Sequence, residues 1–326
     1  MANILRYGAY LPKYRTPLGE VQSFYGRPGR PRSKTLSTPA LDEDTLTMAY
    51  EAGTQALAGL REVAAVVTVT MSAPFGMRKL SSTLARALGL GDSVPAFDIA
   101  GHPGSLLDAL EVGERLSGDG PVLVVASDHV VAHEDRVCDM LSAGGAAAFL
   151  LGSEAGVASL GPSARSGAEV YDVWRLGTEG EARYRMEVLF DAYTAAAAGA
   201  IGGLQTATGV ATGDYAAVAA SQPHPQSLRS LARTGVTGEQ LSTTSFVGEI
   251  GNLGVASVGL ALCIALDGAT PGQRILTFGY GAGEGIARVV EVTGSAPIGT
   301  AARIAGEPIT MSTYYRWTRG RQAEPH

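Results

Sequence analysis

A buried strand that leads directly into an apolar helix near residue 100 constrains the fold of this chain more than any other feature. Residues 94–99 (Val-Pro-Ala-Phe-Asp-Ile) predict the strand, residues 100–104 (Ala-Gly-His-Pro-Gly) a tight turn, and residues 105–116 a helix with a leucine-rich side. Such a turn presents its residues at the positive end of a helix, where unpaired N–H groups lower the pKa of a thiol. The position that would present a nucleophile holds Pro103, whose fixed φ is typical of the first residue of a helix.

Composition and charge exclude several classes of protein. The chain has 326 residues, of which 45% are hydrophobic and 17% charged, so it is long and apolar enough to bury a sizeable core. A net charge of -6 without a basic tract argues against binding to nucleic acid or to an anionic membrane. No apolar run reaches transmembrane length and no signal peptide is evident, which together with only two cysteines favours the cytoplasm. No Cys/His spacing of the zinc type is present, so no metal site is predicted.

Strand and helix patterns alternate along the chain, and the second half repeats the outline of the first. Asp98-Ile99-Ala100-Gly101 leads into one apolar helix, and Glu249-Ile250-Gly251-Asn252 leads into another. This correspondence predicts an α/β protein made of two related halves, residues 1–160 and 161–326. The beginnings of the two helices would then face each other, which is a suitable place to hold an acyl group.

Short segments spread over most of the chain form a series. They are Tyr7 to Pro12 with Tyr14-Arg15, Asp42 to Thr45, Ala143 to Ala147, Tyr171 to Arg175, Gly251-Asn252, Pro271 to Leu276, Tyr280 to Gly283, and Tyr314 to Arg316 with Arg319-Gly320. In number and order the series resembles the thiolase superfamily and, within it, archaeal and bacterial hydroxymethylglutaryl-CoA synthases. The resemblance implies a thiolase-like fold, with duplicated mixed-sheet halves in an αβαβα layered arrangement.

Enzymes of that family use a Cys nucleophile, a Glu general acid/base, and a His and an Asn around the thioester oxygen. These groups form the acyl-enzyme, move a proton and stabilise negative charge. Aligned on the resemblance, the Cys position holds Pro103, the Glu position Met71 and the His position Ser221, while Asn252 keeps the expected type. The resemblance therefore implies a degenerate active site.

The remaining polar residues each have a functional and a structural interpretation. His224 and Asn252 are the candidates for polarising a thioester, but His224 also fits a surface turn between two prolines, and Asn252 fits a turn before a helix. His102 would either point into the cavity predicted to hold the acyl group or hydrogen-bond to the backbone of its turn. Further candidates for a thioester or CoA pocket are Arg78, Lys79, Gly251 and Gly281; the alternatives are solvated charges for the first two and backbone freedom for the glycines. Cys138 and Cys263 are interpreted as buried structural thiols.

Three functions follow from the resemblance and its departures. The first is a non-catalytic subunit of an acyltransferase or condensing complex, in a homodimer or in a heteromer with a Cys-containing thiolase-like subunit and a small OB-fold protein. The second is an enzyme that transfers an acyl group directly from an acyl-CoA or acyl-carrier thioester, without a covalent Cys intermediate. The third is a thioester-binding or regulatory protein. In each, the thioester is a ligand and no cofactor is bound covalently.

Overall fold

The order of strands and helices is given by a computed structural model, which describes residues 2–26, 33–130, 140–176 and 182–319. The strands are β1 (Asn3–Tyr10), β2 (Tyr14–Pro17), β3 (Thr35–Thr38), β4 (Ala65–Thr70), β5 (Ala96–Ala100), β6 (Val122–Asp128), β7 (Gly145–Gly152), β8 (Ala158–Ser166), β9 (Val173–Trp174), β10 (Arg183–Tyr184), β11 (Ala217–Ala220), β12 (Arg274–Gly281), β13 (Glu284–Val292) and β14 (Glu307–Pro308). The α-helices are α1 (Leu18–Phe24), α2 (Thr45–Leu57), α3 (Leu80–Ala87), α4 (Leu106–Leu116), α5 (Met186–Thr208), α6 (Pro225–Ser230), α7 (Gly238–Ser242), α8 (Val247–Ile250), α9 (Ala256–Gly268) and α10 (Met311–Arg319). None of these helices combines the length and apolar character that crossing a bilayer requires.

Nine strands form one mixed sheet in the order β11-β12-β13-β8-β1-β7-β6-β4-β5. The pairs β5 with β4, β4 with β6, and β11 with β12 are parallel, and the remaining neighbours are antiparallel. The sheet continues across the predicted boundary between the halves, because residue 160 lies inside β8, which pairs with both β1 and β13. The division into 1–160 and 161–326 stays a prediction.

Alternating side chains place helices on both faces of each half of this sheet. In β6, Val122 and Val124 face the central core, whereas Leu123 and Val125 face an outer core with α2 and α3. In β12, Ile275 faces the central core and Leu276 an outer core with α5. The central core holds α4 and α9, and every residue of α9 from Ala256 to Leu266 is buried. These layers confirm the αβαβα arrangement that the resemblance implied.

The strand, turn and helix near residue 100 are present, but the strand is not buried as predicted, because β5 is the last strand of the sheet and its residues are exposed or half-buried. Pro103 also does not begin the helix. The helix α4 starts at Leu106 with Ser105 as its N-cap residue. Pro103 is the second residue of a turn closed by the Ser105 N–H, which donates to the His102 carbonyl over 2.9 Å. Proline suits this position because the turn requires φ near −60°, as a first helical turn does. The prediction of a helix-starting proline was therefore wrong.

A close backbone contact fixes the elbow, residues 100–105, against β12. A Cβ atom on Gly104 would lie 2.7 Å from the Tyr280 nitrogen and 3.0 Å from the Gly279 carbonyl carbon. Real Cβ atoms do not approach backbone so closely, so only glycine fits here. The elbow is thus held by the second half of the chain.

Candidate functional site

A cavity of about 550 Å³ opens where β4 and β5 end, and we call it the elbow pocket. Its wall consists of the end of β4 and the following loop, the elbow, the second residue after β6, and the β9–β10 hairpin. The described wall residues are Thr70, Met71, Ala73, Phe75, Gly76, Ala100, Gly101, His102, Pro103, Val130, Val173, Trp174, Arg175, Ala182 and Tyr184. Its volume is within the range of small-molecule sites.

Two of the replaced catalytic positions meet in this wall. Met71 follows β4 and Pro103 lies in the elbow, and both line the elbow pocket. The described wall contains no cysteine, serine, aspartate or glutamate. A thiol nucleophile and a carboxylate base are therefore both absent from this part of the wall.

A buried carboxylate lies directly behind Met71. Oδ1 of Asp128 accepts hydrogen bonds from the Thr70 hydroxyl (3.0 Å), the Met71 N–H (2.9 Å) and the Ser72 hydroxyl (2.7 Å), and Oδ2 accepts one from the Val255 N–H (3.0 Å). Burial raises the pKa of Asp128, although these four donors act in the opposite direction. The carboxylate thus joins the wall at β4 to the residue that precedes α9. Sequence analysis did not identify Asp128, whose signal is an acidic residue at the end of an apolar strand.

His102 lines the elbow pocket and is held at both ring nitrogens. Nδ1 accepts a hydrogen bond from the Gly104 N–H over 3.1 Å, so the ring proton is on Nε2, which lies 3.1 Å from Oε2 of Glu284. Both interpretations of His102 therefore apply, because its side chain lines the cavity and also hydrogen-bonds to the backbone of its own turn. Both ring nitrogens are therefore engaged by groups of the protein.

Arg165 organises the carboxylates beyond His102. Its Nη1 binds Oδ1 of Asp108 over 2.7 Å and Oε1 of Glu284 over 3.2 Å. Ligand atoms of His102, Asp108 and Glu284 lie within 4.8 Å of one another, as in a metal site. The guanidinium already occupies the position of a cation between the two carboxylates.

Packing accounts for the two candidate glycines, neither of which is among the described wall residues. A Cβ atom on Gly281 would lie 2.6 Å from Cβ and Cγ of His102, so Gly281 makes room for the imidazole. Gly251 has a φ of +87°, and a Cβ atom there would lie 2.8 Å from Cδ2 of Leu36. A ligand contact for either glycine stays a prediction.

Ser221, His224 and Asn252 are buried but do not belong to the described wall. The Ser221 hydroxyl accepts from the Tyr280 N–H over 3.0 Å. Oδ1 of Asn252 accepts from the Gly254 N–H (3.0 Å) and the Ser257 hydroxyl (3.3 Å), which is the turn role that the sequence allowed. The structure brings Met71 and Pro103 together in the wall, whereas Ser221, His224 and Asn252 are not among its described residues.

His224 does not lie in a surface turn, so that interpretation was wrong. Its side chain caps α6, because Nδ1 accepts from the Gln226 N–H over 3.0 Å. The ring packs against Phe190, with centroids 5.1 Å apart. Burial against α5 therefore explains the position of this histidine.

The basic pair and Cys263 are not among the described wall residues of the elbow pocket. Lys79 donates from Nζ to the Ala96 carbonyl over 3.2 Å, and neither Lys79 nor Arg78 is a described wall residue. Cys263 is fully buried in α9, and burial raises the pKa of its thiol, as expected for a structural cysteine. Cys138 lies outside the described residues.

The wall segment that follows residue 171 is anchored by a second buried carboxylate. Asp172 accepts from the Val173 N–H over 2.7 Å and from the Tyr280 hydroxyl over 2.5 Å. Burial and this hydrogen bond raise the pKa of Tyr280. Two segments that carried the resemblance thus meet here and position Trp174 and Arg175, which sequence analysis did not identify as site residues.

Comparison with known proteins identifies the family. The hydroxymethylglutaryl-CoA synthase of Aeropyrum pernix is 30% identical over 299 residues, which are 87% of this chain and 82% of that protein. The chain belongs to the hydroxymethylglutaryl-CoA synthase family. No protein-family model matches the chain.

Solved structures of hydroxymethylglutaryl-CoA synthases share the fold. One, complexed with CoA, has a TM-score of 0.87 at 17% identity and covers 97% of this chain and 89% of its own. The synthase of the curacin biosynthetic pathway, in complex with a holo donor acyl carrier protein, has a TM-score of 0.85 at 18% identity and covers 99% of this chain and 89% of its own. The thiolase-like α/β fold predicted by the resemblance is confirmed.

Proposed function

We propose that this chain is a non-catalytic subunit of an acyl-transfer or condensing assembly, whose nucleophilic cysteine lies on a thiolase-like partner. The observation that carries the proposal is the described wall of the elbow pocket, which keeps a cavity of about 550 Å³ but has no thiol and no carboxylate. Cys263, the one cysteine among the described residues, is fully buried in the central core. Covalent acyl transfer needs an accessible thiolate and a base.

The open edge of β5 supports a place for the partner. Within the described residues no strand pairs with the outer edge of β5, the last strand of the sheet. Its Phe97 is 42% exposed, and the nearby loop exposes Phe75 and Met77, the latter with a φ of +56°. A strand at the edge of a sheet has unpaired backbone groups, and exposed apolar side chains beside it favour contact with another chain. We assign this edge to a Cys-bearing thiolase-like subunit or to a second copy of this chain. The proposed assembly is cytoplasmic, and a small OB-fold protein can also belong to it.

The ligand of the proposed assembly is an acyl thioester, not a covalent cofactor. Related structures contain CoA in one case and a holo donor acyl carrier protein in another, so both carriers are candidates here. Arg78 and Lys79 belong to the end of the loop that follows β4, and the earlier part of this loop lines the pocket. They stay candidates for contacting a phosphate of either carrier.

Direct transfer without a cysteine has less geometric support. It requires His224 and Asn252 to face the thioester, whereas the acceptor atoms Nδ1 of His224 and Oδ1 of Asn252 are bonded to neighbouring backbone N–H groups. The positions that do line the pocket, Met71 and Pro103, offer no acid, base or nucleophile.

Turnover with and without the partner tests the proposed function. The tagged chain is isolated from its native host, any co-purifying thiolase-like subunit is identified, and release of CoA from acetyl-CoA with acetoacetyl-CoA as acceptor is measured. We expect no release above background from the chain alone and release from the pair, abolished by replacing the partner's reactive cysteine with alanine. Full turnover by the isolated chain would contradict the proposal.

A further inference from the structure

His102 is the one histidine among the described wall residues of the elbow pocket, and its ring completes the turn of the elbow. The backbone N–H of Gly104 donates to Nδ1, and the Ser105 N–H donates to the His102 carbonyl. The backbone N–H of His102 in turn donates to the Ser105 hydroxyl over 3.1 Å. The conformation of the elbow therefore depends partly on an imidazole nitrogen that accepts a hydrogen bond.

Protonation of the imidazole removes this acceptor. An imidazolium carries a proton on both nitrogens, so the Nδ1–H group would face the Gly104 N–H, whose nitrogen is 3.1 Å away. Two donors would then oppose each other, and the Gly104 N–H would lose its partner. Histidine changes its charge between about pH 5 and pH 8, so the bond that completes the elbow is sensitive to pH in this range.

Charged groups from four elements face His102. Glu284 of β13 lies 3.1 Å from Nε2, and Asp108 of α4 lies close to both, so two carboxylates favour the charged imidazole. Arg165 of β8 binds both carboxylates, and Arg175, which follows β9, lines the same cavity. These two guanidinium groups favour the neutral imidazole. The carboxylates are thus shared between His102 and Arg165, and the environment favours neither charge state of the ring alone.

The space around the ring determines where it can move. A Cβ atom on Gly281 of β12 would lie 2.4 Å from Nδ1 of His102, so the backbone of this glycine blocks the ring on the side of β12. The free space beside the ring is the elbow pocket, with a volume of about 550 Å³. Tyr184 of β10 is a further titratable side chain of the described wall. A ring that has lost its bond to the Gly104 N–H therefore turns toward the cavity.

We infer that His102 is a pH-sensitive switch of the elbow pocket. With a neutral imidazole, the elbow keeps the turn described above and the cavity is open. With an imidazolium, the ring leaves the Gly104 N–H, keeps its ion pair with Glu284 and occupies part of the cavity, so that the pocket is smaller toward pH 5. The switch changes the space in the pocket, so it does not depend on the ligand or the partner proposed above.

The accessibility of Trp174, on the hairpin part of the pocket wall, tests the switch. The full chain carries two tryptophans, so Trp317→Phe leaves Trp174 as the only indole. In this background, quenching of Trp174 emission by acrylamide, a small uncharged solute, is measured between pH 8 and pH 5. We expect the Stern–Volmer constant to fall by about half toward pH 5, because the displaced ring obstructs the cavity. NMR of ¹⁵N-labelled imidazoles should show His102 as the Nε2–H tautomer at pH 8, and its protonation should have the same midpoint as the fall in quenching.

Three variants in the same background separate His102 from other titrating groups. His102→Asn places an amide oxygen where it can accept from the Gly104 N–H without titrating, so quenching should stay high at both pH values. His224→Asn is the matched control, because Nδ1 of His224 also accepts from a backbone N–H two residues on and His224 is not a described wall residue. It should keep the full response to pH. Gly281→Ala should displace the ring and give low quenching at both pH values.

Three results would each overturn the inference. They are quenching that does not change with pH, a fall that persists in His102→Asn, and a His102 imidazole that stays neutral down to pH 5. If Gly281→Ala does not fold, His102→Asn still decides, because it adds no atom to the contact with β12. None of these results changes the partner dependence of turnover, so failure here is distinguishable from failure of the proposed function.

Discussion

Replacing Asp128 with alanine is expected to lower the free energy of unfolding by about 3 kcal/mol. The buried N–H groups of Met71 and Val255 lose their acceptor, at about 1–3 kcal/mol for each unsatisfied donor, and removing a buried charge offsets part of that cost. Because Asp128 joins β4 to the start of α9, the elbow pocket should loosen as well. Urea unfolding of the purified variant measures the change. A loss below about 0.5 kcal/mol, the range of ordinary surface substitutions, would contradict this role.

The pH dependence of stability supplies a matched control for that result. The folded pKa of Asp128 is raised, so its contribution to stability is complete below about pH 4 and is lost as pH rises through the raised value. At Asp98, burial is outweighed by hydrogen bonds from Ser81, Thr68 and Leu80, and the pKa is lowered. Its contribution is complete above about pH 4 and is lost as pH falls through the lowered value.

Conservative variants should therefore respond oppositely to pH. The difference in unfolding free energy between the wild type and Asp128→Asn should shrink as pH rises above about 4. The difference between the wild type and Asp98→Asn should shrink as pH falls below about 4. If this difference in unfolding free energy changed with pH in the same direction for both variants, the pKa values of the two carboxyl groups would not be shifted in opposite directions.

Introducing a thiol with Pro103→Cys should convert a chain that forms no acyl adduct into one that does. Residue 103 lines the elbow pocket and lies just before α4, whose positive end lowers the pKa of a nearby thiol. Mixed with acetyl-CoA, the variant is expected to gain one acetyl group, seen by intact mass spectrometry and mapped by peptide sequencing.

Pro103→Ala is the control for the introduced thiol. It removes the same ring without adding a nucleophile, so it should remain unmodified. Circular dichroism of both variants confirms that the turn tolerates the loss of proline. A folded Pro103→Cys protein that binds acetyl-CoA without forming an adduct would mean that the thioester carbonyl does not reach the elbow.

Local pattern was sufficient to predict the elements that build the site. The strand, turn and helix around residue 100 follow from apolar periodicity and turn residues. The observed β5 starts two residues later and ends one residue later than predicted, and α4 starts one residue later and ends where predicted. Pro103 was misplaced because the first turn of a helix and the second position of a β-turn require nearly the same φ. Only the hydrogen bond from Ser105 to His102 separates the two cases.

Groups that depend on distant parts of the chain were missed. Asp172 is fixed by Tyr280, 108 residues away, and Asp128 by Val255, 127 residues away. His224 is buried because Phe190 on α5 covers its ring, whereas its neighbouring prolines indicated a surface turn. No local pattern reports such contacts, so Arg175 was not recognised as part of a wall before the fold was known.

The most direct test of the central claim is the mass of the wild-type chain during turnover of the assembly. The chain and its Cys-bearing partner are supplied with isotopically labelled acetyl-CoA, quenched in acid, and each polypeptide is analysed intact and after digestion. The account predicts label on the partner's cysteine and an unchanged mass for this chain. An acetyl group mapped to any side chain of this chain, formed and discharged at the rate of turnover, would contradict it.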